Sequence, residues 1–324
     1  MEIDSPATGK LCEYAFICSP GYDGERVDKV IAAVLPEVSR NRIDADGTEI
    51  RINGSVVKKS RKVRAGQKVA LTCLAEPPLQ VVPEQIPLHI IFENNDVTVI
   101  NKEQGMVVHP GAGNRSGTVA NAIAHRFRED VSGPDAFRTG IVHRLDKDTS
   151  GVMITARNSS AHAALSGQFK DRKSEKVYIA IVKGALNRRE GTVSNRIGRD
   201  RRNRKKFCVL PDSSMSGKEA VTDYRVLRIF YIDGNHAYSL VRLQPRTGRT
   251  HQLRVHMHHL GHPILGDPLY GRSDALFRDA ALMLHALKLT IRLPGEAESR
   301  AFTAPMPARF KAVLRYALQE ESLT

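Results

Sequence analysis

Four of the twelve residues in EPPLQVVPEQIP, positions 76 to 87, are prolines. Proline has no amide proton and a fixed φ, so this stretch fits neither the interior of a helix nor a central strand. It reads as a linker over 77–87 and cuts the 324-residue chain into a short front piece and a long rear piece. Each must bury its own core, and a prior of roughly 150 residues per domain agrees with two unequal domains. The expected division is an extension over 1–13, a small domain over 14–76, the linker, and a large domain over 88–324.

Charge narrows the partners. Forty-nine Lys and Arg against 35 Asp and Glu give a net charge of +14, with 6% aromatics and no tryptophan. That balance favours a polyanion, nucleic acid or an anionic membrane surface, over a small apolar ligand. A basic surface kept for solubility is the plain alternative. MEIDSPATGKLCEYAF carries acids where a signal peptide would be basic, and no apolar run approaches the roughly 20 residues of a membrane span. A cytoplasmic chain without a membrane partner is expected. Cys12, Cys18, Cys73 and Cys208 match no paired C-x-x-C pattern and are too few for a disulfide scaffold, so they read as reduced thiols.

In the front piece, RVDKVIAAVLPEV sets Val27, Val30, Ile31, Val34 and Leu35 at helical spacing, and Ser39 can cap a second helix in SRNRIDADG. EIRING and SVVKKSRKVRAGQKVAL read as short strands joined by an Asn-Gly turn. Arg40, Arg42, Lys58, Lys59, Arg61, Lys62 and Arg64 make either a solvated face or a phosphate-contacting one. RVDKVIAAVLPEVSRNRI with RINGSVVKKSRKVRAGQKV resembles the small αL-type RNA-binding domain of a ribosomal small-subunit protein and several RNA-modifying enzymes. The resemblance implies a small α/β RNA-binding domain in which Arg40 and Arg42 contact RNA.

In the rear piece, DVTVINKEQGMVVHPGAG reads as strand, turn, strand; GTVANAIAHRF as a helix starting near Thr118; and SAHAALSGQFK as a second helix. VMITAR, KVYIAIVKG and HAYSLVRLQ read as strands. Without a regular βαβ rhythm, the expectation is α+β: a mixed, largely antiparallel central sheet with flanking helices and loops.

The chemistry concentrates in GIVHRLDKDTSG, residues 140–151. A strand-like GIV runs into His143, Arg144, Leu145, Asp146, Lys147 and Asp148. Nearby cations favour the charged form of a carboxylate, which suits a nucleophile or electrostatic stabiliser rather than a general acid. A charged turn capped by Asp148 and Thr149 is the plainer reading. In PRTGRTHQLRVHMHHLGHP, Thr250 can cap a helix with Leu253, Met257 and Leu260 as its apolar stripe and His251, Arg254 and His258 on another face. His256, His258, His259 and His262 lack a carboxylate or cysteine at ligand spacing, so no metal is expected. HPGAGNRSG lacks the order of a dinucleotide loop, so no such cofactor is expected. RIGRDRRNRKKF, 196–207, is a solvated loop or one that tracks phosphates.

HRLDKDTSG resembles the signature of the RluA/RluD family of RNA pseudouridine synthases. NKEQGMVVHPGAGN, KVYIAIVKG, RTGRTHQLRVHMHHLGHPILGDPLYG and LHALKLTIRLP resemble that family's other motifs in order, over about residues 88–310, and the front domain matches the RluD-like branch. The resemblance implies isomerisation of uridine in RNA to pseudouridine without cofactor or metal, on a flipped nucleotide. It implies Asp146 as the catalytic carboxylate, Tyr178 as the residue that stacks on the base and moves a proton, and Arg249 as the arginine paired with Asp146. Arg254 is the second candidate for that pairing. Arg144 would fill the gap left by the base, and His143, Leu145, Lys147 and the loop of His109 would line the site. Tyr178 lies on the opposite strand face from Val177 and Ile179, so it can point away from the core those residues form. The substrate expected is large-subunit ribosomal RNA or a pre-ribosomal particle, bound by a monomer. An RNA-binding or ribosome-assembly factor with an idle site is the alternative. A metal-dependent nuclease lacks the clustered acids it needs.

Overall fold

The computed structural model describes residues 11–35, 38, 40–74, 81–111, 113–127, 140–200, 202–203, 205–211 and 217–323. The extension before Leu11, the Ser39 cap and the first part of the proline-rich linker lie outside these residues. Contacts divide the chain into two compact units, Met1–Gln80 and Val81–Thr324.

In the first unit, β1 (Leu11–Ile17) is followed by α1 (Val27–Val34), α2 (Arg40–Asp44), β2 (Glu49–Ile52), β3 (Ser55–Val56) and β4 (Lys68–Leu74). The antiparallel sheet has the order β1-β4-β2-β3. Leu11 pairs with Leu74 and Glu13 with Thr72, so residues 11–13 belong to the sheet rather than to an extension. Asn53 and Gly54, with φ of 50° and 84°, form the expected turn between β2 and β3. Val27, Val30 and Ile31 turn the buried stripe of α1 onto Ile50, Val69 and Leu71 of the sheet.

The second unit carries β5 (His89–Glu93), β6 (Val97–Lys102), α3 (Val119–Arg126), β7 (Ser150–Ala156), α4 (Ser159–Lys170), β8 (Glu175–Lys183), β9 (Glu190–Arg199), β10 (Phe207–Leu210), β11 (Lys218–Ile232), β12 (His236–Pro245), α5 (Gln252–His259), β13 (Leu284–Arg292), β14 (Ser299–Thr303) and α6 (Ala308–Leu323). Its sheet runs β10-β9-β11-β12-β8-β13-β7-β6-β5, with β14 on β13. Among the described strands β7 and β13 pair parallel and every other neighbour antiparallel, giving the α+β class. Strands β7 and β8 are central, and both their faces are buried.

Two readings from sequence change. The run MVVHP after β6 is not a second strand: the Val107 and Val108 carbonyls accept the amides of Val119 and Ala120 at the start of α3, which takes them out of any ladder. GIV, residues 140–142, is loop that touches β7 through a single bridge between Ile141 and Thr155. From Val81 onward the linker stretch lies on its own unit, where Asn121 donates to the Val82 carbonyl and Glu84 accepts the Gly117 amide.

Candidate active site

The loop Gly140–Gly151 is fixed at both ends by glycines that admit no side chain. A Cβ on Gly140 would stand 1.7 Å from the Ala156 carbonyl oxygen of β7, and one on Gly151, at φ 119°, would stand 2.2 Å from that of Ala286 on β13. Between them His143 is pinned from the other side. The Ile154 amide of β7 donates to its Nε2 at 3.1 Å, and its ring stacks on Phe169 with centroids 4.4 Å apart. Leu145 buries beneath the loop and leaves its neighbours Arg144 exposed and Asp146 half-buried. Lys102, buried at the end of β6, donates to the carbonyls of Glu103, Met106 and Lys147, which ties the residue after Asp146 to the upstream loop. Its burial pulls the ammonium down to about 8.

These features open on a cavity of about 810 Å³. Its walls come from the loop, the end of α4, the start of β8, the end of β12 and the approach to α5. Asp146, Arg144, Tyr178, His143, Leu145, Arg249 and Arg254 all line it, so the structure brings together seven residues that the sequence scattered over a hundred positions. Tyr178 faces it from β8, and burial first, then the Asp146 charge, raises its hydroxyl pKa. Near neutral pH it is a protonated phenol, able to stack and to donate.

The cation that reaches Asp146 is Arg254, whose guanidinium lies 3.9 Å from Oδ2. Arg254 is buried and gripped by Asp267 through two bonds of 2.7 Å, a planar fork that aims its remaining nitrogen at Asp146. Asp267 in turn accepts the amides of Leu269 and Tyr270. Arg249 instead donates from Nε to the Glu219 carbonyl of β11. The pairing first assigned to Arg249 therefore falls on Arg254. The physical reason is the start of α5. Thr250 is not its cap; His251 occupies that position in a left-handed conformation, and Gln252 turns back to accept the Arg249 amide and the Thr247 hydroxyl. The helix begins at Gln252, which puts Arg254 in its first turn.

Other expected residues lie elsewhere. His109 is exposed beside Arg144, outside the cavity wall, with its imidazole pKa lowered by partial burial and then by that arginine. Lys147 has an exposed side chain and contributes its carbonyl to Lys102. In the first unit Arg42 is buried and donates to the Leu74 carbonyl, so α2 spends it on its own strand rather than on a phosphate. Arg40 opens α2, and its side chain lies outside the described residues. Lys58, Arg61, Lys62 and Arg64 stay exposed. His256, one of the four histidines weighed as ligands, is buried on the Thr222 hydroxyl. Three residues that the sequence did not single out lie at the site, Lys102, Lys176 and Asp267, and His251, noted only as sharing a helix face with Arg254, joins them. Of the three, Asp267 had a signal, its place in the LGDPLYG turn after the arginine motif.

The buried imidazoles set a pH dependence. Burial and the Lys176 charge hold His143 down to about 3, and burial holds His256 and His285 down to about 4, against an ordinary 6.5. The unfolded chain therefore binds more protons below about pH 6.5. The stability these groups contribute is complete above that value and is lost as pH falls toward their folded values. The thermal midpoint should drop between about pH 7.5 and pH 5, and His143→Gln should flatten part of that drop; a variant with the wild-type slope would remove His143 from the account.

A basic cavity that presents a carboxylate, a phenol and a buried arginine on a largely antiparallel sheet suits an enzyme acting on a polyanionic substrate. Residues 96–259 match the family model of RNA pseudouridylate synthase. An RNA pseudouridine synthase of Chlorobaculum parvum is 41% identical over 308 residues, covering 89% of this chain and 93% of that one. The ribosomal large subunit pseudouridine synthase D of Xylella fastidiosa is 41% identical over 318 residues, covering 93% and 91%. The solved structure of human RNA pseudouridylate synthase domain containing 1 superposes with a TM-score of 0.56 at 31% identity, over 68% of this chain and 84% of that one. The chain belongs to the RNA pseudouridine synthase family and is an enzyme of that class.

Proposed function

We propose that this enzyme isomerises specific uridines of large-subunit ribosomal RNA, free or in a pre-ribosomal particle, with Asp146 as its catalytic residue. The observation that carries the catalytic assignment is the approach of the Arg254 guanidinium to within 3.9 Å of Asp146 in a cavity large enough for one nucleotide. The N1–C1′ bond breaks, the base turns, and C5 bonds to C1′; the proton lost from C5 is matched by one gained at N1, so no co-reactant is consumed. A carboxylate oxygen held at the sugar serves either covalent attack or removal of the C2′ proton, and Arg254 keeps it oriented. Tyr178 would offer the turning base a ring and a hydroxyl, and Arg144, whose side chain is exposed, would take up the space in the helix that the base vacates. The relatives named as acting on the large ribosomal subunit support the choice of RNA. The basic hairpin surface of the first unit supports an RNA-binding arm; we also take the enzyme to act as a monomer in the cytoplasm.

The test is a pseudouridine map of ribosomal and transfer RNA from cells with and without the gene, read by carbodiimide-dependent primer-extension stops. Stops that vanish from large-subunit RNA and return with wild type support the reading. Stops lost from transfer RNA would move the substrate, and an unchanged map would favour a binding factor with an idle site.

A further inference from the structure

His251 lines the cavity beside Asp146 with a φ of 57°, a left-handed conformation uncommon outside glycine though histidine adopts it more readily than most, and one contact holds its ring there. The contact is Tyr270. Its hydroxyl lies 2.9 Å from His251 Nδ1, and the His251 ring meets the rings of Tyr270 and Phe207 edge-on, each at 5.7 Å between centroids. The same hydroxyl oxygen accepts the Phe207 backbone N–H at 2.9 Å. An oxygen that already accepts one N–H is the better donor to Nδ1, and a Tyr270 O–H directed at Nδ1 leaves the single proton of the neutral imidazole on Nε2, the tautomer we assign. Burial, Arg254 and Arg144 disfavour the imidazolium, against Asp146 and Asp267, and the net direction is down. Among the described residues no protein group takes Nε2.

We propose that His251 is a further nucleotide-binding residue of this reaction: its Nε2–H, fixed by Tyr270, donates an uncharged hydrogen bond to an oxygen of the nucleotide held beside Asp146. An uncharged donor suits this position. A second cation would compete with Arg254 for the carboxylate, whereas a neutral N–H binds a carbonyl or hydroxyl oxygen and leaves that pairing in place. The chain Phe207 N–H, Tyr270 O–H, His251 also ties the donor to the strand that follows the basic run 196–207. Seating that strand sets the tautomer at the reaction centre. The inference deepens the assignment of the cavity as the catalytic site and rests on it.

Nitrogen-15 NMR of the histidine-labelled full-length protein tests the tautomer without substrate, the His251 signals being identified by their loss in His251→Gln. They should report the Nε2–H form in wild type and in Asp146→Ala, and a mixture in Tyr270→Phe. Turnover is then measured on total RNA from cells lacking the gene, which contains the substrate whichever RNA it is. His251→Ala should lower kcat/KM by about 10–100-fold, the loss of one well-placed donor. His251→Gln, whose amide N–H replaces Nε2–H, should recover most of that loss, and Tyr270→Phe should cost about 3–10-fold. An Nδ1–H or doubly protonated ring in the wild type, or a glutamine variant as impaired as the alanine variant, overturns the proposal. Activity of Asp146→Ala near wild type would instead overturn the catalytic assignment and leave the tautomer result standing.

Discussion

Asp146→Ala and Asp146→Asn should each lose isomerisation by about 10⁴-fold or more while RNA affinity at fixed salt stays within about threefold of wild type. The split follows from the geometry. Asp146 contributes a negative charge to a basic cavity, so its removal takes nothing from phosphate binding, which the surrounding cations supply. It takes away the oxygen that must act at the sugar, and Arg254 cannot replace that. Glu175 also lines the cavity and is the rival carboxylate, but it stands exposed at the first position of β8. Glu175→Gln should therefore cost less than about tenfold, mostly in KM. Single-turnover conversion of the mapped RNA, with filter binding in parallel, separates the cases. Asp146 variants with near-wild-type turnover, or a Glu175 variant without any, would move the chemistry to Glu175.

What the sequence carried and what it did not divide along physical lines. The α+β class was legible because the strands alternate and no βαβ rhythm connects them. The loop of Asp146 was legible because its charges sit between two glycines, and the structure gives each glycine a steric reason. The assignment between Arg249 and Arg254 was not legible: it depends on where α5 starts, and His251 adopts a left-handed φ that periodicity does not encode. Nor was the role of Lys102, since a buried ammonium is tolerable only where three carbonyls converge, one of them 45 residues away along the chain. The same holds for MVVHP, whose apolar pair suits a strand until the orphan amides of α3 claim its carbonyls. Arg42 was misread because a cation in a basic run looks solvent-facing until a strand carbonyl lies opposite it.

Arg254→Gln should be the costliest change in the site for stability and should lower the rate as well. The Asp267 side chain is completely buried, and its charge is matched by the Arg254 fork. Removing the fork leaves an uncompensated carboxylate in the interior, which costs about 3–5 kcal/mol of unfolding free energy. Asp146 also loses the cation that orients it, so kcat falls with little change in KM. Arg254→Lys is the informative variant, because an ammonium can satisfy Asp267 or reach toward Asp146 but cannot hold the planar two-point grip that aligns both. It should recover part of the stability and little of the rate. Arg249→Gln, which gives up a bond to the Glu219 carbonyl, should change stability by less than about 1 kcal/mol and activity by less than about tenfold. Urea unfolding and steady-state kinetics on the wild type and these three variants decide the matter. If Arg249→Gln loses kcat while Arg254→Lys keeps it, the orienting cation is Arg249, and the approach to α5 must rearrange when RNA binds.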